Sequence, residues 1–318
     1  MLVLDETKIR KGKPVSLPYQ GSKRKICKQI VEIIKQNFGT DKTVYDIFGG
    51  GGAITYECIL NGLNVVYNDF NTYITEVHKN LRTYPKEKLI DLMISRDEFH
   101  RIKQLPEKTW LDEFKLLLNS FGNKRNTYMY NKVCSDFKYE LALKIWEKYG
   151  FEDYRKTDLF LNAEKEFNEK YRLKDESRFG YNQIEIIGRL NRYYSVIDKN
   201  INFSIKNEDY RYFSDVENSI LYLDPPYENS TVEGYEGTGD FDSKAFYDWA
   251  YEMSKKNVVI ISSYTVSDDR FDVVYEFEKA RSTLGINGAG ECEKLFMVTE
   301  LQERFLKKDP VYNFFEIV

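Results

Sequence analysis

TVYDIFGGGGAITYECILNGLNVVYNDF, residues 43–70, is the stretch from which the rest of the chain is read. TVYDIF (43–48) is a short, largely apolar run with β-branched and aromatic residues, as a strand requires, and it runs straight into four glycines. AITYECIL (53–60) reads as the following helix, stopped by Asn61-Gly62, and LNVVYNDF (63–70) as the next strand. Strand, glycine-rich turn, helix, strand is half of a nucleotide-binding α/β unit. Four consecutive glycines are entropically costly unless their freedom is used, so this turn is a place where a ligand approaches the backbone closely. It departs from the dinucleotide fingerprint, because Gly50-x-Gly52 calls for a third small residue at 55, where Thr55 stands.

Upstream, SKRKICKQIVEIIKQNF (22–38) sets Ile26, Ile30, Ile33 and Ile34 on one helical face, with Ser22 as N-cap and Gly39 beyond the end. Downstream, from His78 to Tyr181, strand signals disappear and helical stretches such as DEFKLLLNSF (112–121) and DFKYELALKIWEKYG (136–150) dominate. Strand patterns return in INFSI (201–205), SILYLD (219–224), NVVIISSY (257–264), DVVYEFE (272–278) and KLFMVTE (294–300). The last two flank LGINGAGE (284–291) and are expected to pair as an antiparallel hairpin. The expectation is an α/β domain of residues 1–77 and 182–318, interrupted by a mostly helical insertion over 78–181.

Composition narrows the class. The chain has 318 residues, 42% hydrophobic and 31% charged, and its longest apolar run, Val258 to Ile261, is far too short to span a bilayer. The start, MLVLDETKIRKGK, lacks the apolar stretch of a secretory signal. Cys27, Cys58, Cys134 and Cys292 form no C-x-x-C pair, and His78 and His100 are too few for a histidine metal centre, so neither a disulfide framework nor a metal is expected. Together these features lead to the expectation of a cytoplasmic protein without a membrane partner. Net charge is −4, yet Lys8 to Lys28 carries eight basic residues and no acid. That cluster reads either as a phosphate-facing patch or as a solvated arm.

YLDPPYENS (222–230) holds the strongest chemical signal. Two prolines cannot continue a central strand, so the strand stops at Asp224 and leaves Asp224 and Tyr227 on a stiff turn. An aromatic amine is a weak nucleophile because its lone pair is delocalised into the ring. Asp224 carboxylate and the Pro225 carbonyl can accept hydrogen bonds from its N–H groups and draw the nitrogen toward sp³ character. Pro225 and Pro226 keep the turn from relaxing, and Tyr227 can stack on the base. Positioning and electrostatics suffice for this, with no metal. Asp69, at the end of the strand after the glycines, is suited to accept hydrogen bonds from ribose hydroxyls, or simply to cap a turn.

FGGGG, then NDF at a strand end, then DPPY, resembles the S-adenosylmethionine-dependent amino-methyltransferases of DNA. Pro18-Tyr19-Gln20-Gly21-Ser22-Lys23 resembles the N-terminal motif of the Dam-like, or D12-class, adenine-N6 methyltransferases, in which target recognition lies between the glycine motif and DPPY. The resemblance implies a Rossmann-like S-adenosylmethionine-dependent methyltransferase fold with an inserted, mostly helical target-recognition domain. It implies that Tyr19 and Lys23 flank the methionine part of the cofactor, that Asp46, Phe48, Gly50 and Gly52 cradle it, that Asp69 holds its ribose and that Asp209 contacts its adenine. Asp224, Pro225, Pro226 and Tyr227 would form the methyl-transfer site, and Ser262-Ser263-Tyr264 would close the pocket. Gly49 and Gly51 stand where the family commonly has larger residues, which implies a more flexible cradle.

The implied partner is double-stranded DNA, the implied reaction methylation of a flipped-out adenine, and a monomer suffices for it. Between the helices, Asn123, Lys124, Arg125, Asn126, Tyr128 and Lys132, with Asn119, Tyr130 and Asn131, mix base-edge readers, phosphate binders and stacking rings. They form either a recognition loop or a solvated connection. By resemblance Arg281-Ser282 contacts the DNA backbone. The readings that compete are a cytosine-N4 or RNA methyltransferase, an idle DNA-binding regulator on the same fold, and a nicotinamide oxidoreductase, the last disfavoured by Thr55.

Overall fold

The computed structural model describes residues 1–150, 153–171, 179, 183–197, 203–227, 241–281 and 292–302. The chain forms two compact units, Met1–Pro14 with Lys23–Asn71 and Asn202–Val318, and Val15–Ser22 with Thr72–Ile201. The first holds a seven-stranded sheet of β1 (Val44–Asp46), β2 (Val65–Asn68), β3 (Ser204–Lys206), β4 (Ile220–Leu223), β5 (Val258–Ser263), β6 (Asp272–Arg281) and β7 (Cys292–Met297). Their spatial order is β3-β2-β1-β4-β5-β7-β6. The first five are parallel, while β7 runs antiparallel to both β5 and β6. Residues 272–278 and the strand at 292–297 therefore do pair as expected, while LGINGAGE and Ser282 lie outside the described residues.

Burial explains the sequence pattern. All four residues of β4 and all six of β5 are buried, so these strands read as continuous apolar runs rather than alternating ones. Leu221, Leu223, Val259 and Ile261 pack with Phe246, Ala250 and Met253 of α9 (Ser243–Ser254), which Asp242 caps by accepting from Ala245 N–H. By the period of two, Ile220 and Tyr222 point to the other face. α1 (Cys27–Phe38) buries Ile30, Ile33 and Ile34 completely.

The entry to α1 differs from expectation. Ile26 takes the N-cap place without a side-chain hydrogen bond, and Ser22 Oγ is buried without a hydrogen-bond partner among the described residues. A 3₁₀ turn over Lys23–Lys25 replaces the first helical turn and carries Lys23 inside, where it is 7% exposed. The basic run likewise resolves into separate tasks, since Arg10 donates to Glu57 at 2.8 Å through both Nε and Nη2.

The second unit contains α3 (Thr72–Leu81), α4 (Arg96–Lys103), α5 (Trp110–Leu118), α6 (Ser135–Tyr149), α7 (Asp158–Tyr171) and α8 (Gln183–Ile197). The only strand-like pairing among its described residues is the isolated bridge Ser120–Tyr128. Thr109 and Asp112 form a reciprocal capping box at the start of α5. No helix among the described residues is long and apolar enough to cross a membrane.

The glycine turn is held tighter than its composition implies. A Cβ on Gly49 would lie 2.4 Å from the Tyr67 ring, and Tyr67 Oη donates to Gly50 O at 2.9 Å. Gly49 N also donates to Asn68 O at 2.8 Å. The expected flexibility at Gly49 is thus absent, because the ring of Tyr67 occupies the space a side chain would fill. Gly49→Ala is expected to lower the unfolding free energy by about 1–3 kcal/mol through overpacking. Gly62→Ala, at φ +75° with no atom within 4 Å, meets backbone strain alone, about 1 kcal/mol. Equal denaturant midpoints for the Gly49→Ala variant and the parent protein would contradict this reading.

Candidate active site

In this strand order β1 and β4 are neighbours from which the chain runs outward in opposite directions, and the carboxyl ends at such a switch point are where sheets of this kind bind ligands. The sequence candidates Asp46, Gly50, Gly52, Asp69, Asp224 and Tyr227 all fall at the carboxyl ends of β1, β2 and β4 or in the turns that leave them. Gly50 and Gly52 have φ of +46° and +74°, the left-handed region that glycine enters without strain. Gly50 N donates to Asp69 Oδ2 at 2.8 Å and Asn71 N donates to Asp69 Oδ1 at 2.8 Å, which fixes the carboxylate at the exit of β2. Burial raises the Asp69 carboxyl to about 6 against these two backbone bonds.

Asp46 lies deeper, at 1% exposure, and accepts from Thr55 N at 3.1 Å and Thr55 Oγ1 at 2.6 Å. It therefore braces the glycine turn against α2 (Ala53–Leu60) from beneath. Phe48 packs among Tyr210, Phe241 and Phe246, with ring centroids 5.7 to 6.3 Å away. The turn that carries Asp209 is pinned to the end of β2: Asn68 exchanges two 2.9 Å bonds with the Glu208 backbone, and Asn207 Nδ2 donates to Asp69 O at 2.8 Å. Asp209 itself accepts from Arg211 Nε at 2.6 Å, and that hydrogen bond holds its carboxyl below the ordinary value. Tyr19 belongs to the other unit, where its ring lies 6.4 Å from Tyr73.

Lys23 stands beside the DPPY turn rather than apart from it. Its Nζ donates to Asp224 Oδ1 at 2.7 Å and to Tyr227 Oη at 2.6 Å, and lies 3.5 Å from Glu293 Oε1. Tyr227 Oη in turn lies 3.2 Å from each Glu293 oxygen, and Ser262 Oγ donates to Glu293 Oε1 at 2.8 Å. Tyr264 meets the Tyr227 ring edge-on at 4.9 Å. Burial raises the Asp224 carboxyl to about 6, opposed by Lys23 and reinforced by Glu293. Burial opposes the Lys23 charge, but Asp224, Tyr227 and Glu293 outweigh it and keep the ammonium protonated. Burial raises the Tyr227 hydroxyl well above its usual value against the pull of Lys23, so it remains a neutral donor to Glu293. Asp224 retains 19% side-chain exposure, enough to meet a ligand.

The loop candidates separate into two groups. Asn126 and Lys132 are exposed, while Asn123 and Lys124 are half-buried. Arg125 is bound to Glu113 and lies 3.8 Å over the Tyr73 ring. Tyr128 is 2% exposed and donates to Ile94 O, and Asn119 is bound within the core by Gln183 and by the carbonyls of Leu92 and Lys115. Tyr128 and Asn119 thus serve the packing of their own unit. Arg281 ends β6, with its side chain outside the described residues. No cluster of His, Cys, Asp and Glu among the described residues could hold a metal ion. Glu293, Asn68, Asn207 and Thr55 are the members of the site that sequence reading passed over.

A sheet in this order, with a carboxylate at the switch point and a glycine turn beside it, defines a Rossmann-like methyltransferase fold. The chain belongs to the D12 class N6 adenine-specific DNA methyltransferase family, whose family model matches residues 19–283. It is 25% identical over 238 residues to the modification methylase StsI of Streptococcus sanguinis, and 24% over 235 residues to the type II methyltransferase M.FokI of Planomicrobium okeanokoites. Each match covers 73% of this chain and 31% of the relative, so the chain spans about a third of these proteins' length. The solved rRNA methyltransferase aviRa of Streptomyces viridochromogenes is similar at 11% identity and TM-score 0.40, over 94% of this chain and 95% of that one, a likeness too slight to carry an argument.

Asp46 gives the fold a pH signature. Burial pushes its carboxyl to about 7 against the Thr55 bonds, with Asp224 and Asp69 adding to the rise. An unfolded Asp releases its proton at about pH 3.9, so between these values the folded state binds the extra proton and loses stability as pH rises. Asp46→Asn keeps an acceptor for Thr55 and removes that titration. Relative to the parent, its unfolding free energy is expected to gain about 1.4 kcal/mol per pH unit between about pH 5 and 6.5. A gap between the two proteins that does not change with pH, in parallel denaturant melts, would contradict the assignment.

Proposed function

We propose that this chain is a site-specific DNA methyltransferase that moves a methyl group from S-adenosylmethionine to the exocyclic N6 of an adenine turned out of duplex DNA. The observation that carries the proposal is the Asp224 carboxylate, held at the switch point by Lys23 and still partly exposed. Family membership supports the acceptor and the donor. Bound S-adenosylmethionine supplies an electrophilic sulfonium methyl group.

The residues present fit that cofactor. The left-handed glycines let its chain approach the backbone, and the Asp69 carboxylate, oriented by the Gly50 and Asn71 N–H groups, is an acceptor suited to a ribose hydroxyl. Phe48 and Tyr210 offer ring surface near the Asp209 turn, and Asp209 remains an acceptor for an adenine amine beside Arg211. Asp46 supports the turn from below, and Lys23 stands at the DPPY corner, beside where the cofactor's methionine part would lie.

With a carboxyl near 6, Asp224 is ionised at neutral pH and accepts one N6 hydrogen while the Pro225 carbonyl accepts the other. This draws the amine lone pair out of the ring and aligns it for in-line attack. The methylated nitrogen sheds one proton, and Asp224 is the base within reach. Pro225 and Pro226 hold the two acceptors in register. The helical unit is assigned to target recognition, with Asn123, Lys124, Asn126 and Lys132 facing DNA.

Incubation with tritiated S-adenosylmethionine and unmethylated DNA, followed by digestion to nucleosides, is expected to place label in N6-methyladenine. Label in N4-methylcytosine, in RNA alone, or in neither nucleic acid would overturn the proposal. Asp224→Ala is expected to lower turnover at least about a hundredfold while leaving cofactor affinity unchanged. Loss of cofactor binding by that folded variant would contradict the division of labour.

In the helical unit, Lys124→Ala with Lys132→Ala is expected to weaken DNA binding and flatten its salt dependence without changing the melting temperature. Arg125→Ala is expected to cost about 1–3 kcal/mol of stability by leaving Glu113 unpaired. Unchanged DNA affinity in the lysine double variant would move recognition elsewhere.

A further inference from the structure

β7 contributes a second carboxylate to the DPPY corner. Glu293 is 3% exposed, and a buried carboxylate is retained only where partners offset its desolvation. Its partners are the Ser262 hydroxyl at 2.8 Å, the Tyr227 hydroxyl at 3.2 Å and the Lys23 ammonium at 3.5 Å. Lys23 thus has one carboxylate at contact distance, Asp224 at 2.7 Å, and another less than an ångström farther away. Tyr227 bridges them, accepting from Lys23 at 2.6 Å and donating to Glu293.

This arrangement resolves a conflict within the proposed reaction. While Lys23 grips Asp224 Oδ1, a full positive charge draws electron density from the carboxylate that should accept the substrate's N–H and weakens it as an acceptor. A short movement of the flexible lysine side chain toward Glu293 relieves that competition while keeping the ammonium paired, and the substrate N–H takes its place on Asp224.

We propose that Glu293 is a positioning residue that takes Lys23 from Asp224 when the substrate amine arrives, leaving the Asp224 carboxylate to accept its hydrogen bond. The inference rests on the methyl-transfer reading above. Ser262 and Tyr227 hold Glu293 in place for this exchange, and the lysine remains charged throughout. Among the described residues, the charged and titratable groups facing the corner are Lys23 before α1, Asp46 on β1, Tyr222 on β4, Asp224 and Tyr227 beyond β4, and Glu293 itself. Among them Glu293 raises the Asp224 carboxyl and Lys23 lowers it, so removing the Glu293 charge acts downward.

The test compares the parent protein with Glu293→Gln, Glu293→Asp and Ser262→Ala, each checked for folding. Two quantities are read from pH 5 to 8.5: kcat for methyl transfer to DNA, and the Asp224 carboxyl titration by carbon NMR in the absence of substrate. Glu293→Gln is expected to lower kcat up to about a hundredfold, with cofactor and DNA affinities unchanged. Its Asp224 midpoint and the acid limb of its kcat profile are expected to move together to lower pH. Glu293→Asp, which keeps the charge, is expected to recover both in part. Should Glu293→Gln fail to fold, Ser262→Ala is expected to show the same directions with smaller size.

A parent-level kcat in the Glu293→Gln protein would overturn the inference and leave the methyl-transfer reading standing. So would an equal loss of kcat at every pH with an unmoved Asp224 midpoint, the outcome of a merely structural role. A parent protein that transfers no methyl group to DNA would overturn both.

Discussion

β4 is buried on every residue and ends against a carboxylate, and the rest of the site depends on that juxtaposition. An unpaired charge at the end of a fully buried strand would be costly, and the prolines that follow forbid the backbone from turning aside to solvate it. Lys23 answers the cost. Because the ammonium must reach Asp224, the chain before α1 tightens into a 3₁₀ turn and forgoes its expected cap. The same ammonium orders Tyr227, and Tyr227 together with Ser262 orders Glu293. One ion pair therefore links the first helix, the middle strand and the antiparallel end of the sheet.

The β1 and β2 side of the site is organised by hydrogen bonds to neutral groups. Thr55 ties Asp46 to the start of α2, Tyr67 closes over Gly49, and Asn68 and Asn207 lock the turn after β3 to the exit of β2. These contacts hold the glycine turn and Asp69 in a fixed relation. Pre-ordered groups of this kind suit a reaction that relies on alignment rather than on a strong base or a metal.

Much of this was legible in the sequence, for reasons that are local. Tetraglycine between two apolar runs admits few conformations, and two prolines after an apolar run force a strand to end. The seven strands and the helical character of the second unit followed from periodicity and composition. Long-range partners were not legible. Thr55 reads in sequence only as a break in a glycine fingerprint, and its hold on Asp46 emerges when α2 is set beside β1. Glu293 sits near a Gly-rich connection with no motif of its own, and its role arises because β7 inserts beside β5. In the opposite direction, Arg125 and Tyr128 looked like nucleic-acid readers because arginine and tyrosine serve equally for recognition and for packing. Only the nearby Glu113, Tyr73 and Ile94 carbonyl distinguish the two.

In the proposed reaction, the corner formed by Asp224 and the Pro225 carbonyl receives the amino group of a nucleobase. A structure of the protein with duplex DNA and a non-reactive S-adenosylmethionine analogue tests it most directly. The expected result is a flipped adenine whose N6 lies about 2.6–3.2 Å from both acceptors, with Lys23 drawn toward Glu293. An adenine still stacked in the duplex, or a base seated with its N6 away from Asp224, would contradict the account.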